Sequence, residues 1–139
     1  MKQHYIYDKI KENYTNQFEY DKNIYGGCSN KRPDFLFDKL THSVILEIDE
    51  EQHTGYSCDN KRTMTIFGDL GNRPLVMIRF NPDKYDDKKG CFTFDEKNNI
   101  IVNDKEFEIR MKTLSEILQY CLNIIQTKEL TIVNLFFDK

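Results

Sequence analysis

The stretch S-V-I-L-E-I-D at positions 43–49 limits the possible folds of this chain more than any other. Its apolar, largely β-branched run demands a strand inside a sheet, yet it carries Glu47 and Asp49. Period-two alternation sets Val44, Leu46 and Ile48 on one face and Ile45, Glu47 and Asp49 on the other. Two carboxylates on one face of an apolar strand repel each other and lose hydration, so burying them requires compensation. Upstream, P-D-F-L-F forms a second apolar run and places Asp34 directly after Pro33. D-K-L-T-H joins the two runs, a connection short enough for an antiparallel hairpin. That hairpin brings Asp34, Glu47 and Asp49 to one place, and a divalent cation would relieve their repulsion.

The surrounding chain supplies a setting. Ile6, Ile10 and Tyr14 recur on one face of a helix expected over about Gln3 to Tyr14, and Phe18 to Ile24 reads as a short strand. Tyr25 to Asn30 reads as a glycine-bearing loop, and the polar segment Glu50 to Asp59 as a loop at the mouth of a cleft. Met64, Phe67 and Leu70 predict an amphipathic helix from Asn60 to Leu70, stopped by Gly71-Asn72. L-V-M-I-R-F then reads as a central strand covered on both faces. Strand, crossover helix and strand make a βαβ unit, with the Leu75 strand parallel to the Val44 strand; Asn81-Pro82-Asp83 ends it. A small hairpin is expected from Cys91 to Phe94 and Ile100 to Val102. The strongest helix signal runs from Met111 to Gln126, and Thr131 to Phe136 reads as an edge strand. His42 falls at the turn of the first hairpin, away from the carboxylates.

At 139 residues the chain is long enough for one domain, residues 1–139, with its own core. Its start, M-K-Q-H-Y-I-Y-D-K-I, resembles neither a signal peptide nor a membrane span, which makes an intracellular, soluble protein the expectation. Cys28, Cys58, Cys91 and Cys121 form no C-x-x-C pair, so reduced thiols are expected. The net charge of −3 leaves nucleic-acid binding open, because acidic metal ligands lower the total while local cations do the binding. Arg32, Lys61, Arg62 and Arg79 are the candidates for that binding, whereas Lys88-Lys89 reads as solvated surface.

The chemistry open to the cluster follows from its donors. Mg²⁺ prefers hard oxygen ligands and needs only one or two carboxylates beside water and substrate phosphate. Asp34, Glu47, Asp49 and the backbone carbonyl of Ile48 form such a half-shell for Mg²⁺ or Mn²⁺. Gln52 is placed to hold a water or phosphate, and His53 to orient or deprotonate the water. Glu50 and Glu51 read as solvated.

These residues resemble the PD-(D/E)xK, restriction-endonuclease-like nuclease superfamily. Pro33-Asp34 stands for its first half, and Glu47-Ile48-Asp49 for (D/E)xK. The likeness is nearest to the very-short-patch-repair endonuclease branch, with R-P-D-F, an apolar strand, E-x-D and a nearby histidine. It extends to uncharacterised proteins of large DNA viruses that share E-I-D-E-x-Q-H and R-F-N-P-D, and covers about Cys28 to Asp83. The resemblance implies an α/β fold with a central mixed β-sheet flanked by helices. It also implies metal-dependent endonuclease activity on DNA, inside the infected cell if the origin is viral. Asp49 stands where the superfamily has lysine and the nearer branch commonly has histidine; Arg62 or Arg79 is the expected substitute cation, and Asp83 a further orienting carboxylate. A zinc site of the branch would involve Cys28, Cys58 and His53, but four ligands at zinc spacing do not occur, and zinc is not expected. So little chain outside the core predicts weak sequence specificity, a required partner or a homodimer. The alternative is a nuclease-fold protein that binds nucleic acid or assembles without cutting; a small-phosphoester hydrolase has no glycine-rich phosphate loop to support it.

Overall fold

The computed structural model describes residues 2–24, 32–52 and 56–139, the side chains of 56–60 excepted. In chain order come α1 (Lys2–Asn13), β1 (Glu19–Tyr20), β2 (Phe35–Asp38), β3 (Ser43–Ile48) and a 3-10 turn (Glu50–Gln52). There follow α2 (Tyr56–Asp69), β4 (Leu75–Phe80), β5 (Phe92–Phe94), β6 (Ile100–Val102), α3 (Asp104–Asn123) and β7 (Leu130–Leu135). Among the described residues five strands form one mixed sheet in the order β1-β2-β3-β4-β7, and β5 pairs with β6 in a separate hairpin. β2 and β3 run antiparallel with Phe35 opposite Leu46. β3 and β4 run parallel with Glu47 beside Arg79, and β4 and β7 are also parallel.

Alternation along β3 and β4 divides the core in two. Val44, Leu46, Val76, Ile78 and Phe80 pack with Ile6 and Ile10 of α1 and with Leu114 and Leu118 of α3. On the opposite face, Ile45, Leu75 and Met77 pack with Ile66 and Leu70 beneath α2. Each strand thus loses water on both sides, which accounts for the nearly unbroken apolar run of β4. The chain is therefore α/β, a mixed sheet with helices on both faces. None of the helices among the described residues is long and apolar enough to cross a membrane.

Several boundaries depart from expectation. The segment Glu50 to Asp59 is not one loop: it contains the 3-10 turn and the start of α2 at Tyr56. Met64 is 55% exposed while Ile66 is fully buried, so α2 faces the sheet through a stripe rotated from the expected one. α3 starts at Asp104 rather than Met111, with Asp104 and Glu106 in its first turn, where acidic side chains complement the helix dipole. It stops at Asn123 because Ile124 is extended (φ −102°, ψ 131°), and Ile125, expected in the stripe, lies exposed. β1 is only two residues long. Buried His42 joins the β2–β3 turn to α3: its Nε2 donates to the Cys121 carbonyl at 2.8 Å and its Nδ1 accepts from the Thr41 hydroxyl.

Candidate functional site

The ladder between β2 and β3 ends at Phe35 and Leu46. The residue just before β2 is Asp34, preceded by Pro33, which has no N–H to carry the ladder on. Side chains take over there. Asp34 Oδ2 accepts the backbone N–H of Ile48 at 2.8 Å, and the Asp34 N–H points to Glu47 Oε2 at 3.3 Å. The two carboxylates are thereby locked onto one another's strands. Because N–H and C=O of one strand residue point to the same edge, the Ile48 carbonyl is directed to the side where Asp34 stands.

Glu47 is the electrostatic centre. Its side chain is only 15% exposed, and burial, followed by the Asp34 charge, pushes its carboxyl up to about 7 against the opposing pull of Arg62. Arg62, from α2, pairs through Nη1 with Glu47 Oε1 and through Nη2 with the Arg32 carbonyl at 3.2 Å. Asp49 lies just beyond β3 and is held by Arg79 of β4, whose Nη2 is 2.5 Å from Asp49 Oδ2; the Arg79 guanidinium also covers the Phe137 ring at 5.4 Å. Glu47 and Arg79 stand side by side across the parallel pair. The α2 side of the sheet end thus alternates acid and base.

The turn after Asp49 is under strain. Glu51 and Gln52 both have positive φ, 58° and 50°, uncommon for residues with a Cβ. Asp83 compensates: its Oδ2 accepts the Glu51 N–H at 2.8 Å, and its Oδ1 takes Lys2 Nζ at 2.6 Å. Asp83 therefore orients the turn rather than the carboxylates. The Gln52 amide is committed elsewhere, accepting from the Asp138 N–H at 2.5 Å and reaching the Lys84 carbonyl at 3.4 Å.

The structure brings Asp34 and Glu47 together, with Arg62 on them, and sets Asp49 with Arg79 alongside. Arg32 and Lys61 are exposed, and Arg32 contributes its carbonyl to Arg62. His53, Cys28 and the side chain of Cys58 lie outside the described residues. Glu12 lies on the surface, paired with Lys9. Sequence reasoning missed Arg110, which is fully buried. It donates to the carbonyls of Asn81, Asp83 and Lys89 at 2.6–2.9 Å and to Glu106, bracing the end of β4 under Asp83. An arginine just outside an apolar stripe ordinarily reads as surface; only its helical spacing between buried Phe107 and Leu114 in the observed helix could have revealed it.

Two half-buried carboxylates and a backbone carbonyl on one edge are hard oxygen donors suited to Mg²⁺ or Mn²⁺. A cation there would offset the burial and the repulsion that raise Glu47. Among the described residues no group of three or more His, Cys, Asp and Glu stands close enough to hold a metal. Comparison of the chain with protein-family models, with curated proteins and with solved structures finds no match.

Proposed function

We propose that this protein is a metal-dependent endonuclease of restriction-endonuclease-like fold that hydrolyses DNA phosphodiester bonds. One observation carries the reading: Asp34 and Glu47 are held together at a sheet end although burial and mutual repulsion raise Glu47 to about 7. Uncharged amides would serve the same hydrogen bonds, so those bonds alone give no reason for two carboxylates where burial and repulsion cost stability. Asp34, Glu47 and the Ile48 carbonyl would hold Mg²⁺ or Mn²⁺, with Asp49 joining when Arg79 turns to the substrate. The bound metal would supply Lewis acidity at the phosphodiester and a more acidic water.

The chain's own groups do the rest. Arg62 and Arg79, already beside the carboxylates, are positioned to neutralise charge developing on a phosphate, the task given to lysine elsewhere in the superfamily. Exposed Arg32 and Lys61 add charge for the DNA backbone. His53 is assigned the proton of the attacking water on its sequence position alone. Gln52 is assigned to the turn that follows Asp49.

One observation favours a second reading, a nucleic-acid-binding module of the same fold that does not cut. Glu47 and Asp49 each already hold a guanidinium. Incubation with supercoiled, linear and single-stranded DNA plus Mg²⁺ or Mn²⁺, beside Asp34→Ala and Glu47→Ala, separates the two. Metal-dependent cleavage lost in both variants supports the nuclease; binding without cleavage supports the module.

A further inference from the structure

β7 closes one side of the sheet, and its outer edge is open. The Glu129 carbonyl accepts from Leu75 and the Leu135 carbonyl from Asn81, so odd-numbered residues from 129 to 135 turn their backbone groups toward β4. Alternation turns those of Leu130, Ile132 and Asn134 outward, where no described residue bonds them. The chain beyond β7 does not cover them. Phe136 takes positive φ (65°), Phe137 lies under Arg79, and the Asp138 N–H goes to Gln52, all on the β4 side.

Natural sheets usually blunt such an edge with lysine, proline, a bulge or very short length. The opposite edge, β1, is two residues long. β7 is six residues, L-T-I-V-N-L, without a charge or a proline, and its Ile132 is 46% exposed.

We propose that a second copy of this chain pairs here, β7 against β7 in antiparallel order about a two-fold axis at Ile132. In that register Ile132 exchanges both backbone bonds with the partner's Ile132, and Leu130 does so with the partner's Asn134. Every outward N–H and C=O is then satisfied, and the sheet becomes continuous through both copies. Lys128 falls opposite the partner's Phe136 and Glu129 opposite the partner's Leu135, so no like charges oppose. The outward residues are spaced symmetrically about Ile132, which makes the edge complementary to itself.

Sedimentation over a concentration series, combined with backbone amide exchange read by NMR, tests the pairing without altering the chain. The expected result is a dimer at high concentration in which the Leu130, Ile132 and Asn134 amides gain protection. Thr131 and Val133, bonded to β4, stay protected at every concentration. Ile132→Lys sets like charges at the axis and should weaken association by about ten-fold or more while melting stays cooperative. A monomer at all concentrations overturns the proposal, as does a dimer whose Leu130, Ile132 and Asn134 amides exchange as they do in dilute protein.

Discussion

The Asp34 carboxylate accepts the Ile48 N–H at 2.8 Å, a side-chain bond at the place where the β2–β3 backbone ladder has ended. Asp34 is therefore part of the sheet's hydrogen bonding as well as of the acidic cluster, and the two roles separate by substitution. Asp34→Asn keeps an oxygen for Ile48 but removes the charge, whereas Asp34→Ala leaves a buried N–H unbonded at a cost of about 1–3 kcal/mol. Urea unfolding should place Asp34→Asn near wild type and Asp34→Ala below it, while both lose metal-dependent nicking. Full activity in Asp34→Asn would remove its charge from the mechanism.

Stability should fall as pH rises from about 4.5 to about 7. Glu47 is raised in the folded state to about 7 by burial and by Asp34, so the folded chain binds the proton more tightly than the unfolded chain. Protonated Glu47 therefore favours folding below its unfolded value, and that advantage is lost as pH passes through the folded value. The contribution is on the order of 3 kcal/mol. Denaturant unfolding at several pH values should show this slope, flattened in Glu47→Gln; an unchanged slope would contradict it.

Metal binding should track the same proton. Mn²⁺ or Mg²⁺ must displace it, so the metal should raise the melting temperature by about 3 °C or more at pH 8 and by less at pH 5.5. Chelation should reverse the rise, and Glu47→Gln should abolish it. Equal stabilisation of wild type and Glu47→Gln would locate the metal elsewhere.

Arg110→Met should destabilise by about 3–5 kcal/mol, because it orphans carbonyls buried around the end of β4. Lysine should rescue little, since one ammonium cannot reproduce the guanidinium fork. A loss under about 1 kcal/mol in thermal unfolding would show that water replaces the arginine.

Glu51→Gly should be neutral or stabilising by about 0.5–1 kcal/mol, because glycine removes the cost of a Cβ at positive φ. Asp83→Ala, which frees the Glu51 N–H and Lys2 together, should destabilise. A clear destabilisation by Glu51→Gly in the same thermal assay would mean that the Glu51 side chain holds the turn.

Much of the framework was legible because it rests on local periodicity. Alternation along S-V-I-L-E-I-D placed Glu47 and Asp49 on one face, and the short D-K-L-T-H connection implied the hairpin that returns Asp34 beside them. The apolar run of β4 announced a central strand. Helix limits were less legible: the first apolar residue of α3's expected stripe is Met111, yet the mostly polar segment from Asp104 onward is helical too and buries Phe107, since a helix extends wherever its backbone bonds permit.

Residue order along β2, β3 and β4 was enough to establish an α/β core and to gather the acids at one sheet end, for strand alternation acts over two residues. Which base meets which acid was decided only by the fold. Arg62 reaches Glu47 because α2 lies across that face with a particular rotation, Arg79 reaches Asp49 because β4 lies parallel and in register with β3, and Arg110 turns inward because the end of β4 presents carbonyls with no other donor. Such pairings depend on how separate elements pack in three dimensions, and no spacing along the chain encodes them.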